Sequence, residues 1–429
     1  MEEKLYKRTV NAWVMYDWAN SAFATTVMAG FMPVYFSAMA TEAGLSGQQA
    51  TSAWGYTVTI ALVIIALLAP GMGAMADRMG GKKHFLTVFA VIGAVASIML
   101  YLPHGDMYQL GGLIYVIGNI GFAGANIFYN SLLTHIAKKG DIDQISTKGY
   151  AMGYLGGGIL LVINALMAMF PSMFGIPDAS MAARLSFVTV GLWWLVFSIP
   201  LWRHVPEPEV FFEEKMDFGK AMRTGFGELA KTFQKIRTYP EAFKLLLAFW
   251  LYNDGIGTII KMATAYGSEI GIEQDMMIGA LALVQFVGIP FSFLFGSLAK
   301  KFGTKNMILA GLGLYSLISI GGYFMNTALH FWILAFMVGL VQGGTQALSR
   351  SLFGAMIPKK RSGEFFGFFS MSDKFAGIVG PLVFAWVGSM TGTSRFGIMS
   401  LLIFFVLGGM LLIKVDVPKG LEQVSEENA

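Results

Sequence analysis

The chain has 429 residues, 55% hydrophobic and only 13% charged, with a mean hydropathy of +0.61. A soluble domain carries about 25% charged residues, so a soluble globular protein is excluded and a polytopic membrane protein is indicated. The absence of cysteine excludes disulfides and thiolate metal sites, and the net charge of +4 is explained by where the basic residues lie rather than by nucleic acid.

A bilayer core of about 30 Å takes some 20 apolar residues per helix, and backbone groups in lipid must be satisfied internally. Twelve stretches qualify: about 10–39, 52–76, 84–102, 108–136, 148–170, 184–203, 243–269, 276–299, 305–325, 328–357, 364–390 and 394–414. The polar start at Glu2–Arg8 leads into the first with no small-residue cleavage site, which predicts an uncleaved first helix. Asp17 lies about one-third of the way along that span, with Asn20 on its face at i+3. An ionisable side chain at such depth costs roughly 2.5–3.5 kcal/mol and marks a pathway or proton relay. The alternative is a static ion pair or helix cap locking two helices together.

After the second span comes Gly73-Ala74-Met75-Ala76-Asp77-Arg78-Met79-Gly80-Gly81-Lys82. Membrane anchoring by positive charge explains Arg78, Lys82 and Lys83 but not the acid. On the fourth span Asn119, Asn126 and Asn130 form an amide stripe. Such a stripe faces a cavity or another helix, where it binds a polar solute or glues helices. Gly153, Gly156, Gly157 and Gly158 on the fifth span allow close helix approach.

The long polar segment, about 205–241, divides the spans six and six, and Pro206 and Pro208 end the sixth helix. Phe218, Met222, Phe226, Leu229, Phe233 and Ile236 recur at three- and four-residue steps between lysines, as in a helix lying on the inner membrane surface. A solvated linker is the alternative for its first third. The predicted organisation is a six-helix bundle over 1–204, this linker over 205–241, a second bundle over 242–416 and a tail over 417–429.

In the seventh span Asp254, Thr258 and Lys261 share one face. A zwitterion clamped between Asp254 and Lys261 is one reading; a snorkelling Lys261 and a merely hydrogen-bonded Asp254 is the other. Gly255 and Gly257 would loosen the helix there, as discontinuous helices do at transporter sites. Gln342, Gln346 and Arg350 form a stripe on the tenth span, where Arg350 is a snorkelling anchor, a gate partner or a substrate ligand. On the eleventh, Asp373 and Lys374 point about 100° apart and suit gating better than substrate binding.

Charge orients the spans. One set of alternate loops, with the two ends of the chain, holds 25 of the 30 basic residues, and the other loops hold only Arg184 and Arg395. The expectation is an integral protein of a bacterial-type cytoplasmic membrane with both termini cytoplasmic.

The halves repeat. Gly296-Ser297-Leu298-Ala299-Lys300-Lys301-Phe302-Gly303-Thr304-Lys305 matches the spacing of the Gly73–Lys82 loop, and Asn130-Ser131-Leu132 is echoed by Arg350-Ser351-Leu352. The Gly-x-x-x-Asp-Arg-x-Gly-x-Lys loop resembles the signature between helices two and three of the major facilitator superfamily. Within it, Tyr16-Asp17-Trp18-Ala19-Asn20-Ser21-Ala22-Phe23, Leu251-Tyr252-Asn253-Asp254-Gly255, Gln342 to Ser351 and Glu364-Phe365-Phe366-Gly367 resemble the vacuolar effluxer-like (unknown major facilitator) family over nearly the whole chain. The resemblance implies an all-α membrane protein, twelve transmembrane helices in two pseudo-symmetric six-helix bundles around a central cavity. It also implies alternation between inward- and outward-open states, with Asp77 holding the cytoplasmic side shut. Fungal members look like exporters of amino acids from the vacuole, which corresponds to uptake in a bacterium. Because Lys300 stands where the first half has Asp77, a gate lock of the Asp77 kind is expected on one side only.

The resulting expectation is a non-enzymatic, monomeric secondary transporter in membrane lipid, coupled to protons, moving an amino acid or short peptide. No phosphate-binding Gly-x-x-x-x-Gly-Lys-Ser/Thr loop occurs, so ATP is not the direct energy source. Five dispersed histidines suggest no metal site, and no cofactor is expected. An exporter or flippase of amphipathic drugs or lipids is the alternative, disfavoured by the Asn and Gln stripes.

Overall fold

The computed structural model describes residues 2–45, 47–138, 140–208 and 236–428, and all regular structure among them is helical. The first rod is α1 (Glu2–Ala22), a π-helical stretch Phe23–Phe31, and α2 (Met32–Glu42). There follow α3 (Gly47–Met79), α4 (Lys82–Met99), α5 (Tyr108–Ile136), α6 (Ile142–Met169) and α7 (Ala179–His204). The later half holds α8 (Pro240–Glu269), α9 (Gln274–Phe302), α10 (Thr304–Tyr323), α11 (Ala328–Ala355) and α12 (Ser362–Thr391). Its last rod is α13 (Ser394–Ser400) with α14 (Leu402–Ile413), and α15 (Val417–Asn428) closes the chain.

Each of the twelve predicted spans falls on one rod. Among the described residues ten helices are long and apolar enough to cross a membrane by themselves, and α3 adds a shorter apolar stretch, Ala53–Ala69. The seventh rod, α8, is helical but falls outside that set, because Lys244, Asn253, Asp254 and Lys261 dilute its apolar character. Its helix runs unbroken past Gly255 and Gly257, so the expected loosening there is not found. The irregular turn lies instead in the first rod. Pro33 has no backbone N–H and crowds the preceding turn. Upstream of it the Thr25 hydroxyl donates to the Ser21 carbonyl (3.1 Å) and to that of Gly157 on α6 (3.1 Å). The backbone widens into π geometry between them.

Most of the amphipathic pattern seen in the 205–241 segment lies outside the described residues; α7 ends at His204, just before Pro206, as its prolines require.

Buried apolar side chains form two large cores, one running from Val10 to Val205 and the other from Ile236 to Val424. Large apolar side chains such as Leu67, Leu113, Leu192, Leu329, Leu382 and Met410 stay exposed on the outer surface. That suits a surface solvated by lipid tails. The two halves meet where α3 packs on α12 and α6 on α9, with the end of α11 wedged against α5 and α6.

Close approach at one crossing depends on two glycines. A Cβ on Gly73 would overlap the Gly363 carbonyl, and one on Gly363 would crowd the Gly73 carbonyl and Asp77. Both chain ends lie on the same face. Lys138 bonds Glu3 at 3.3 Å, and Lys305 donates to the Val415 carbonyl at 2.9 Å. We call this the terminus face.

Candidate functional site

Asp17 sits on α1 where that helix meets α5 and α6. Its carboxylate accepts from the Tyr129 hydroxyl at 2.8 Å and lies 3.6 Å from the Arg350 guanidinium, which reaches across from α11. Arg350 is 3% exposed. A cation so buried is expensive unless paired and hydrogen-bonded, and here it is. Its Nε donates to Ser146 Oγ (2.9 Å), one terminal nitrogen to the Ser146 carbonyl (2.8 Å) and the other to Asn130 Oδ1 (3.2 Å). The rings of Tyr150, Trp13 and Tyr129 surround it, with centroids at 4.6, 5.2 and 5.6 Å from the guanidinium carbon. Of the three readings open for Arg350, snorkelling is ruled out by this burial. Gly149 makes room for the pair, since a Cβ there would strike the Asp17 carboxylate and press on Arg350.

Of the expected site residues, Asp17, Asn130 and Arg350 therefore converge. Asn20 and Asn126 form their own bond at 2.8 Å between α1 and α5, next to the cluster along the same helices. Gln342 and Gln346 are half-buried on α11, and Asn119 is buried on α5.

The second acid lies elsewhere. Asp254 is 2% exposed and packs against Gly380 of α12, while Thr258 donates to the Asp254 carbonyl at 2.7 Å. Lys261 is exposed and donates to the Gly377 carbonyl at 3.3 Å. Lys261 thus points to α12, and Asp254 is packed against the same helix. In this conformation the pair does not frame an open clamp for a zwitterion.

Closer to the terminus face stands a second polar cluster. The Asp77 carboxylate accepts from the backbone N–H groups of Gly363 (3.0 Å) and Glu364 (2.7 Å) and lies 2.7 Å from Lys82 Nζ. The first turn of a helix has N–H groups without intrahelical partners and a positive dipole end. Asp77 thus caps α12 from the other half. Lys82 Nζ also donates to Ser362 Oγ (2.7 Å) and to His135 Nε2 (3.0 Å), filling its three donor positions. Lys82, for which positive-charge anchoring was one reading, is 5% exposed. The side chains of Arg78, Asp373 and Lys374, all expected at a gate, lie outside the described residues.

At the matching position of the second half Lys300, in the last turn of α9, lies 3.9 Å from Asp141, just before α6, and both side chains are partly exposed. Asp143 accepts from Thr304 and from the Ser351 hydroxyl.

Trp13, Tyr129, Ser146, Tyr150, His135 and Ser362 were not singled out from the sequence. Tyr129 and Ser146 flank Asn130 and Thr147 in ordinary helical sequence, and only the packing makes them partners. No group of three or more His, Cys, Asp or Glu side chains suited to a metal occurs among the described residues.

The family model described as "Vacuole effluxer Atg22 like" matches residues 6–425. The MFS-type transporter YxiO of Bacillus subtilis is 37% identical over 426 residues, covering 99% of each chain. Autophagy-related protein 22-1 of Penicillium rubens is 24% identical over 546 residues, covering 96% of this chain and 90% of that one. Among solved structures, the proton:xylose symporter XylE aligns with a TM-score of 0.74 at 15% identity, covering 99% and 98% of the two chains. The human organic anion transporter MFSD10 aligns at 0.72 and 15%, covering 95% and 99%. Likeness at this level of identity carries the fold, two bundles of the major facilitator type.

Proposed function

The chain belongs to the vacuole effluxer Atg22-like family of major facilitator transporters, and from that premise we propose a secondary transporter for a small polar solute, an amino acid or short peptide, driven by protons. The observation that carries the reading is the Asp17–Arg350 pair, which joins the halves inside the molecule. Alternating access requires the halves to part on each face in turn. A buried pair spanning the boundary must then break once in every cycle. Parting strands a carboxylate in a low-dielectric site, and a proton or a solute cation relieves it. Asp17 is thereby the proton-coupling or substrate-binding group, with Asn20, Asn126, Asn130, Gln342 and Gln346 supplying amides along the path.

Asp254 and Thr258 are assigned a second, supporting role in coupling, with Lys261 beside them. Asp77 and Lys82 act as the latch on the terminus face, which the distribution of basic residues puts in the cytoplasm. Arg78, Asp373 and Lys374 belong to the same gate. The protein works as a monomer in a bacterial cytoplasmic membrane.

Reconstituted protein tests this. Labelled amino acids and peptides are offered to liposomes with and without an inward proton gradient, beside Asp17→Asn and Asp254→Asn. Gradient-driven accumulation lost in a variant that still exchanges solute assigns coupling to that carboxylate. If no polar solute is taken up by the wild type, the amphipathic-exporter alternative takes over.

A further inference from the structure

The group around Arg350 has an asymmetry. All its acceptors and rings come from one half: Trp13 and Asp17 on α1, Tyr129 and Asn130 on α5, Ser146 and Tyr150 on α6. Arg350 alone comes from the other. Much of this nest is also held together without it. Trp13 and Tyr129 stack at 4.1 Å between ring centroids, the Trp13 indole N–H donates to the Tyr129 carbonyl at 3.0 Å, and the Tyr129 hydroxyl fixes Asp17. When the halves separate on the terminus face, Arg350 withdraws with α11. A preformed nest of one carboxylate, two serine oxygens, an amide oxygen and three aromatic faces then stays behind.

We infer that this nest is a cation subsite selective for a guanidinium, and that Arg350 occupies it as a tethered stand-in for the solute. The inference rests on the transport reading above and narrows its substrate class to small solutes bearing a guanidinium group, of the arginine or agmatine kind. The chemistry matches at each atom. A guanidinium offers five N–H donors in a plane, and Arg350 places three of them on fixed acceptors and a face toward aromatic rings. An ammonium lacks that planar fork. A neutral urea group of the same shape leaves the Asp17 charge uncompensated. Solute and Arg350 exclude one another from one seat, so solute in the nest holds the terminus face open and its departure lets Arg350 return and close it.

The test uses full-length protein in two formats. Thermal unfolding in detergent compares wild type, Arg350→Ala and Asp17→Asn with arginine, agmatine, citrulline or leucine added. Uptake of labelled arginine into wild-type liposomes is challenged with the same compounds in excess. Expected are a rise of several degrees in the melting temperature of Arg350→Ala with arginine and agmatine and none with citrulline. Wild-type uptake of arginine should be competed at least tenfold better by agmatine than by citrulline, and Asp17→Asn should show neither effect. If Arg350→Ala does not fold, Tyr150→Leu, which keeps Arg350 and loses a ring, should weaken agmatine competition several-fold.

Stabilisation of Arg350→Ala without any wild-type response to guanidinium solutes makes the nest a latch socket and overturns the inference. Uptake of leucine indifferent to arginine and agmatine also overturns it, yet leaves the transport reading standing. Failure to move any polar solute removes the transport reading itself.

Discussion

Arg350 Nε donates to Ser146 Oγ at 2.9 Å, and the same hydroxyl donates to the Ala347 carbonyl, one turn back on the Arg350 helix, at 2.7 Å. One serine of the first half thus binds side chain and backbone of the second, so α6 and α11 are clamped at the point where Asp17 meets Arg350.

The clamp predicts that the Asp17–Arg350 pair helps to hold the terminus face closed, whatever the solute. Truncating one partner of a buried, hydrogen-bonded charge pair costs about 2–5 kcal/mol. Asn at position 17 keeps the shape and one acceptor, so Asp17→Asn should fall near the low end, about 2 kcal/mol, or roughly thirtyfold in favour of the state open on the terminus face. The natural chain has no cysteine, so Thr147→Cys, buried on α6, gives a single label site. Reaction with an impermeant maleimide added on the terminus side should speed up in Asp17→Asn; an unchanged rate would show that the pair does not hold this gate.

Gly149→Ala should mimic that effect without removing a charge. The added methyl strikes the Asp17 carboxylate and crowds both Arg350 and Trp13. Overpacking of this kind costs about 1–3 kcal/mol. Labelling at position 147 should rise as in Asp17→Asn, while Gly158→Ala, facing little but the Gln285 side chain at 3.9 Å, leaves it near wild type.

Lys82 and Asp77 should behave as a buried pair. Their side chains are 7% and 2% exposed. Lys82→Met strands the carboxylate, and breaking such a pair costs about 3–5 kcal/mol. Asp77→Asn combined with Lys82→Met removes both charges and should be more stable than Lys82→Met alone by thermal unfolding in detergent. Equal or lower stability of the double variant would mean that the α12 cap, not the ion pair, is the dominant contact.

Gly73→Val tests the α3–α12 crossing. Its side chain meets the Gly363 backbone, which cannot rotate away as a side chain does. The halves must separate there, so transport should be lost with protein still folded, and an electron-spin distance between labels on the terminus-side ends of α3 and α12 should lengthen. A wild-type distance would place the accommodation within one half.

The twelve spans were legible because the demand on them is local. A residue facing lipid must be apolar and a backbone in lipid must be helical, so composition along the chain fixes span number and, to within several residues at most ends, their limits. The inter-half repeat and the depth of Asp17 and Asp254 follow from the same arithmetic. Even the acid in the Gly73–Lys82 loop stood out, since positive-charge anchoring leaves it unexplained. What sequence periodicity cannot contain is which face of one helix meets which face of another. Asp17 and Arg350 are 333 positions apart, and nothing in either segment names the other. Their pairing, the approach of Lys300 to Asp141, the burial of Lys82 and the turning of Asp254 toward Gly380 arise from packing between rods distant in the chain. In a bilayer that packing is decided by close contact and by the need to satisfy each buried polar group, and both are properties of the assembled helices.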